Sequence, residues 1–428
     1  MVPTALLTLL LLMALAIPVA ASMGVLGLVL GQLFSFLPVS RAAGEIAWTS
    51  SNEFLLVALP LFILLGELLL RSGLAEKMYE SLARWLSWLP GGLMHSNIAA
   101  CALFAATSGS SLATAATVGS VALPQAKVFG YNERLFLGTL AAGGTLGILI
   151  PPSINMIIYA VLTNTSVPKL YLAGIVPGVL LALSFMVIVF VACLWRPAWG
   201  GQRVTATLAA CLGGLVHLLP PLGIFLVVVG SIYAGLATPT EAASLGVMAG
   251  LGLAWWSKRL SWNMLREALL GTMRSTGMIM LIIVAAYFLN FVMSSIGLTT
   301  KLTDVIQNLG LSKWQTLFAV IVFYVVLGCF METLSLMITT IPVVAPVMQA
   351  LGFDMIWFGI VVIVLVEAAL ITPPVGLNLF VVQNLRKSGS LNDVIVGSAP
   401  FVFAMFFLLL MLALYPGLAL WLPSVVSQ

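Results

Sequence analysis

Along the 428 residues, polar positions come in brief clusters that separate long apolar runs. Each run of roughly 17–25 residues is long enough to cross about 30 Å of hydrocarbon as a helix. The pattern predicts spans near 4–20, 22–38, 54–70, 135–162 and 170–194, and again near 206–234, 240–257, 275–294, 357–385 and 395–422. Barrel strands would alternate over about 10 residues, and lipid leaves no other way to satisfy backbone groups than a helix or a closed barrel. The fold class is therefore an all-α polytopic membrane protein. Two stretches break the pattern, near 93–124 and 317–348. Each is apolar at both ends and carries small polar residues in its middle, ATSGSSLAT at 106–114 and METLSLMITT at 331–340. They predict re-entrant hairpins, since non-helical backbone at membrane depth survives only where it lines a cavity or is buried in protein.

Two further positions interrupt apolar spans. GILIPPSINMII (147–158) places Pro151-Pro152 inside one, and ALITPPVGLNLF (369–380) places Pro373-Pro374 inside another, 222 positions later. The same offset aligns Pro124 with Pro346, Gly130-Tyr131 with Gly352-Phe353, and Ser22 with Ser244. The chain thus reads as a duplication, with a first repeat over 1–194 and a second over 206–428, joined by the basic, glycine-rich loop LWRPAWGGQR. Each repeat holds five spans and one hairpin, so an odd number of crossings inverts the second against the first. Scaffold and transport parts would both be drawn from the two repeats.

The basic residues test this layout. With both hairpins re-entrant, all but Arg41, Lys169, Lys301 and Lys313 of the 17 Lys and Arg fall on one face. That bias marks the cytoplasmic side and puts both termini outside. Segments 72–89 and 296–310 are amphipathic and predict helices lying in the membrane surface. The N-terminal run has no basic residue before Arg41, whereas a secretory leader needs one, so it reads as a retained first helix.

Composition narrows the function classes. Only 7% of residues are charged, against about 25% in soluble domains. The net charge of +4 follows from topology, and no basic aromatic patch points to nucleic acid. The four cysteines form no CxxC pair and read as packing residues. Neither HExxH nor GxSxG occurs, and the two histidines, His95 and His217, are far apart, which disfavours an enzyme. Polar hairpins also build channel filters, but inverted repeats with two broken helices favour a secondary transporter with a mid-membrane site.

The breaks supply the candidate ligands. Paired prolines donate no N–H and disfavour helix in the preceding residue, so carbonyls one turn earlier need another partner: a cation, a substrate or water. Near the first pair lie Ser153 and Asn155, and near the second Thr372, Gly376 and Asn378. The first hairpin tip offers Ser108, Gly109, Ser110 and Ser111, with Thr114 and Thr117 continuing one face. The second offers Glu332, Thr333 and Ser335. Alternatives are a kink that repairs its own backbone, a small-residue helix interface, and for Glu332 a solvated tip. Glu67 and Glu367 read as helix–helix hydrogen-bonding residues.

PLFILLGELLLRSGLAEKM, ATSGSSLATAATVGSVALPQAKVFGY, GTLGILIPPSINMIIY and ALITPPVGLNLFVVQNL resemble the large membrane subunit of tripartite ATP-independent periplasmic (TRAP) transporters, the DctM-like family. The resemblance runs over essentially the whole chain. It implies a Na⁺-coupled importer in a bacterial inner membrane, with a fold similar to the elevator-type ion-transporter superfamily. The implied partners are a small four-helix membrane subunit and a periplasmic substrate-binding protein that delivers an organic acid, such as a C4-dicarboxylate or sialic acid. Carried over, the ion and substrate sites fall on Ser108 to Ser111 with the Pro151, Pro152, Ser153, Asn155 break. They fall also on Glu332 to Ser335 with the Thr372, Pro373, Pro374, Gly376, Asn378 break. Na⁺ is expected at Ser110, Ser111 and Asn155, and at Thr333, Thr372 and Asn378. Ala113-Thr114, Ile148 and Leu365 depart from residues common in the family. A stand-alone Na⁺/dicarboxylate symporter of related fold is the alternative.

Overall fold

Each apolar run that the hydropathy pattern marks is mainly helical over its described residues in the computed structural model, which describes residues 1–15, 17–35, 38–204, 207–298, 301 and 312–426. No strand occurs among the described residues. Five continuous helices combine span length with apolar composition: Phe54–Arg71, Val167–Trp195, Ala209–Tyr233, Trp262–Ser295 and Leu391–Leu414. A sixth, Thr333–Ala350, passes the same test but is the returning arm of a hairpin. The pair Glu133–Leu149 and Ile154–Thr163, bent by 43°, adds a broken span. Val19–Phe34 and Met355–Leu370 are shorter apolar helices.

Both hairpins form where the polar interruptions place them. The first consists of Leu93–Ser108 and Ser111–Val128, the second of Lys313–Gly328 and Thr333–Ala350. Both proline pairs interrupt helices. Glu133–Leu149 ends before Pro151 and resumes as Ile154–Thr163, and Met355–Leu370 resumes after Pro374 as Leu377–Arg386. Both Pro-Pro bonds are cis. Hairpin, broken helix and long apolar helix follow in the same order in each half of the chain.

Three elements differ from the sequence reading. The last span, expected over 395–422, ends at Leu414, and a separate helix, Gly417–Val426, follows it. Ala43–Ser51 is an additional short helix. Trp262–Ser295 is one helix of 34 residues, where the pattern marks only 275–294. Its first turns carry Arg266, Glu267 and Arg274, which lower the local hydropathy without breaking the helix. The amphipathic segment at 72–89 forms Leu74–Leu86, hereafter the arm helix. Its counterpart at 296–310 lies mostly outside the described residues.

The packing separates two sets of helices. Val19–Phe34 lies along Trp262–Ser295, and Pro239–Trp256 along Ala58–Arg71, which also packs on Trp262–Ser295. The other set contains the two hairpins, the two broken helices, Val167–Trp195 and Leu391–Leu414. Within it each half-helix beyond a break crosses to the other half of the chain. Ile154–Thr163 packs on Thr333–Ala350, and Leu377–Arg386 on Ser111–Val128. The arm helix is tied to the first hairpin by buried polar contacts. Tyr79 donates to Asn97 Oδ1 at 2.9 Å, and Asn97 Nδ2 donates to Thr139 of the first broken helix at 2.9 Å.

Candidate functional site

At three of the four interrupted elements a polar side chain caps the helix that follows, while Leu377–Arg386 beyond the second break starts at Gly376 without a side-chain cap. Ser110 accepts from Ala113 N at 3.4 Å, Ser153 from Met156 N at 3.4 Å, and Glu332 Oε2 from Ser335 N at 3.1 Å. These are N-cap bonds, satisfying donors that a helix start leaves free. Gly109 sits between the arms of the first tip at φ 60°, a left-handed conformation that costs glycine little.

The capped starts meet. A cavity of about 160 Å³ is lined by Ser110 and Ser111 of the first tip, Asn155 beyond the first break, and Glu332 and Thr333 of the second tip. Its other wall comes from Gly66, Glu67 and Leu70 on Ala58–Arg71 and from Ser275 on Trp262–Ser295. Three helix N-termini therefore face one space between the two sets of helices. Each N-terminus carries partial positive charge and free N–H groups, which favour an anion. Glu67 forms an ion pair with Arg71 one turn on.

Behind the first tip the site becomes fully buried. Ser111 is 2% exposed, and its hydroxyl donates to Glu367 Oε1 at 2.6 Å. Glu367 is 1% exposed, makes no ion pair among the described residues, and its Oε2 has no hydrogen-bond partner there. Asn378, fully buried, donates from Nδ2 to Ala141 O at 3.2 Å and leaves Oδ1 without a partner among the described residues. Gly144 and Gly147 let the tip approach this closely. A Cβ on Gly144 would stand 3.1 Å from both Asn378 Nδ2 and Ser111 O, and one on Gly147 would stand 3.0 Å from Ser110 O.

Each tip also touches the break of its own half. A Cβ on Gly109 would lie 3.2 Å from Pro152 O, and the Cys329 thiol donates to Pro373 O at 3.3 Å. Asn155 lines the cavity with its amide against Met337 Sδ of the second hairpin at 3.4 Å. Thr333 Oγ1 donates to Glu332 Oε1 at 3.0 Å, and Thr372 Oγ1, just past the helix end at Leu370, donates back to Ala368 O at 2.7 Å. Thr114 is buried in the returning arm, while the side chain of Ser108 lies outside the described residues. Thr333 and Asn378 thus lie in different surroundings, the first at the central cavity and the second behind the opposite tip. The sequence reading treated Glu367 as a helix–helix hydrogen-bonding residue; its bond is to Ser111, 256 positions away, a pairing that an alignment of the two repeats does not suggest.

Residues 6–418 match the family described as the tripartite ATP-independent periplasmic transporter, DctM component. The chain belongs to that family. It is 35% identical over 94% of both chains to the C4-dicarboxylate TRAP transporter large permease protein DctM of Pseudomonas aeruginosa. It is 33% identical over 97% of both to the protein of the same name from Rhodobacter capsulatus. The sialic acid TRAP transporter large permease protein SiaM of Vibrio cholerae is 28% identical over 87% of both chains. Among solved structures, the YdaH transporter of Alcanivorax borkumensis superposes with a TM-score of 0.64, covering 93% of this chain and 97% of that one at 17% identity; this likeness concerns the fold alone. The DctM-family chain is a multi-pass inner-membrane protein, the large permease subunit of a TRAP secondary transporter.

Proposed function

We propose that this TRAP large permease subunit imports a small organic acid together with Na⁺, by an elevator movement of the set that holds the hairpins and broken helices against the set built on Val19–Phe34, Ala58–Arg71, Pro239–Trp256 and Trp262–Ser295. The observation that carries the substrate class is the convergence of three capped helix N-termini on the central cavity. Among the described residues no Lys or Arg lines that cavity, whereas Glu67, paired with Arg71, and Glu332 do. A substrate carboxylate would therefore rest on N–H groups and hydroxyls and would need bound Na⁺ to offset Glu332. C4-dicarboxylates, for which the relatives from Pseudomonas and Rhodobacter are named, fit this chemistry.

The donor set behind the first tip fits a small hard cation. Glu367 Oε2 and Asn378 Oδ1 are buried acceptor oxygens without partners among the described residues; Glu367 bonds the Ser111 hydroxyl, and Asn378 and the Ser111 carbonyl both border Gly144. Hard cations take oxygen ligands, and an uncompensated buried carboxylate is costly. Ser110, Ser111, Asn378 and Glu367 would hold Na⁺ here, with Asn155, Thr333 and Thr372 as candidates nearer the cavity. Bound Na⁺ would supply positive charge close to the anion and fix the tip, so each ligand would tighten binding of the other. Ser110 and Ser153 would keep the helix starts aimed at the anion.

The two sets of helices, meeting at the cavity, support relative movement of one against the other. A small four-helix membrane subunit would extend the immobile set, a periplasmic binding protein would deliver the acid, and both termini would lie in the periplasm. The test is uptake of a labelled C4-dicarboxylate into proteoliposomes containing this chain, its small subunit and its binding protein. An inward Na⁺ gradient should drive uptake, and omitting the binding protein should abolish it. Uptake that persists without the binding protein would instead identify a stand-alone symporter.

A further inference from the structure

The returning arm of the first hairpin, Ser111–Val128, borders three cavities in succession along one face. Ala113 lines the central cavity of about 160 Å³. One turn on, Thr117 and Ser120 line a second of about 260 Å³, between the hairpin and the arm helix. Ser120 then also lines a third of about 500 Å³, which reaches Lys127 and Arg386. The central and second cavities share Leu70 of Ala58–Arg71, and the second and third share Ser120. Positions 113, 117, 120, 124 and 127 recur at helical spacing, and 18 residues of helix cover about 27 Å. The cavities widen toward the basic end.

One side chain marks this face as more than small-residue packing. The Thr117 hydroxyl is buried and has no hydrogen-bond partner among the described residues, while Ser120 donates to the Thr117 carbonyl at 2.8 Å. A buried hydroxyl without a partner carries a desolvation cost of about 1–3 kcal/mol, which a polar group admitted by movement of the arm helix would relieve. Lys127, exposed at the wide end, suits an anion, whereas Arg386 is already engaged by Glu133 at 2.7 Å and Asp393 at 3.2 Å. Glu76 stands on the arm-helix wall.

We propose that the face carrying Ala113, Thr117, Ser120 and Lys127 is the route by which small organic anions pass between the central cavity and the basic end of the molecule, with Leu70 as its constriction. This rests on the transport reading above and specifies the path that reading leaves open.

The test is labelling by sulfonatoethyl methanethiosulfonate, a small membrane-impermeant organic anion, in inside-out membrane vesicles. Wild type gives the background, since its cysteines are buried or half-buried. Ser120→Cys, at an exposed position, should be labelled at least about tenfold faster than Val118→Cys, which is 1% exposed. Thr117→Cys, 8% exposed but on the route, should also be faster than Val118→Cys, because thiol reactivity follows access to water. Labelling of Ser110→Cys, at the inner end, should slow in Leu70→Trp and quicken in Leu70→Ala. Equal rates at 117, 118 and 120, or a Ser110→Cys rate indifferent to Leu70, would overturn the route. Either failure leaves Na⁺-driven uptake untouched, because uptake is measured separately.

Discussion

The Ser111 hydroxyl donates a 2.6 Å hydrogen bond to Glu367, joining the tip of the first hairpin to the helix that precedes the second break. One polar contact therefore ties together elements from both halves of the chain, within reach of the central cavity. Removing either partner should register in stability as well as in ion binding.

Na⁺ should raise the unfolding temperature of the purified protein above its value in choline at equal ionic strength. A ligand that binds only the folded state contributes about 2.7 kcal/mol at 100 times its Kd. Ser110→Ala and Asn378→Ala should each reduce this Na⁺-specific shift. An identical shift in all three proteins would place the ion elsewhere.

Glu367→Ala removes an acceptor and leaves the buried Ser111 hydroxyl without one, a loss of about 1–3 kcal/mol. Glu367→Gln keeps the acceptor oxygen and the volume. In choline, thermal unfolding should therefore show a lower midpoint for the alanine variant than for the glutamine variant. In Na⁺, the glutamine variant should lose most of the ion-specific shift.

Gly144→Ala would push a methyl group to 2.8 Å from Ala115 Cβ and 3.1 Å from Asn378 Nδ2. The expected outcome is a folded protein whose Na⁺-dependent shift is reduced, read by the same unfolding assay. Gly24→Ala has nothing within 4 Å of the new methyl and should match wild type.

Arg386 is 7% exposed and bonds Glu133 at 2.7 Å and Asp393 at 3.2 Å, while Arg134 also reaches Asp393 at 2.9 Å. This cluster anchors the half-helix beyond the second break to the start of the first broken helix. Arg386→Ala leaves two carboxylates without their shared partner, so the unfolding midpoint should fall, and by more than in Arg134→Ala, whose side chain is 60% exposed.

Much of the architecture was legible because lipid imposes a simple code. Apolar runs had to be helices, and a polar tip such as Ser108 to Ser111 inside one had to turn back. Pro151-Pro152 and Pro373-Pro374 marked both breaks, since proline removes donors wherever it sits. The helical start of Trp262–Ser295 was less legible, because charged turns extending a span read as loop by hydropathy alone. At the site, the residue types were legible but their pairing was not. Repeat alignment matches Ser110 with Glu332, whereas contact sets Ser111 against Glu367 and Asn155 against Met337. Those contacts depend on how the halves cross in space, which no local pattern encodes. The bare backbone at Gly144 and Gly147, which lets the tip approach, had a signal in the sequence GGTLG that periodicity could not interpret.

The crossed packing of the halves also constrains how the protein is made. Glu367 follows Ser111 by 256 positions. Chains elongate at about 5–20 residues per second, so the first tip waits roughly 10–50 s at membrane depth before its partner is synthesised. During that interval its hydroxyls and the carbonyls around Pro151 must be satisfied by water or by the insertion machinery. Biogenesis is therefore sequential for the spans but simultaneous for the site, which comes into being only when the last third of the chain has been inserted.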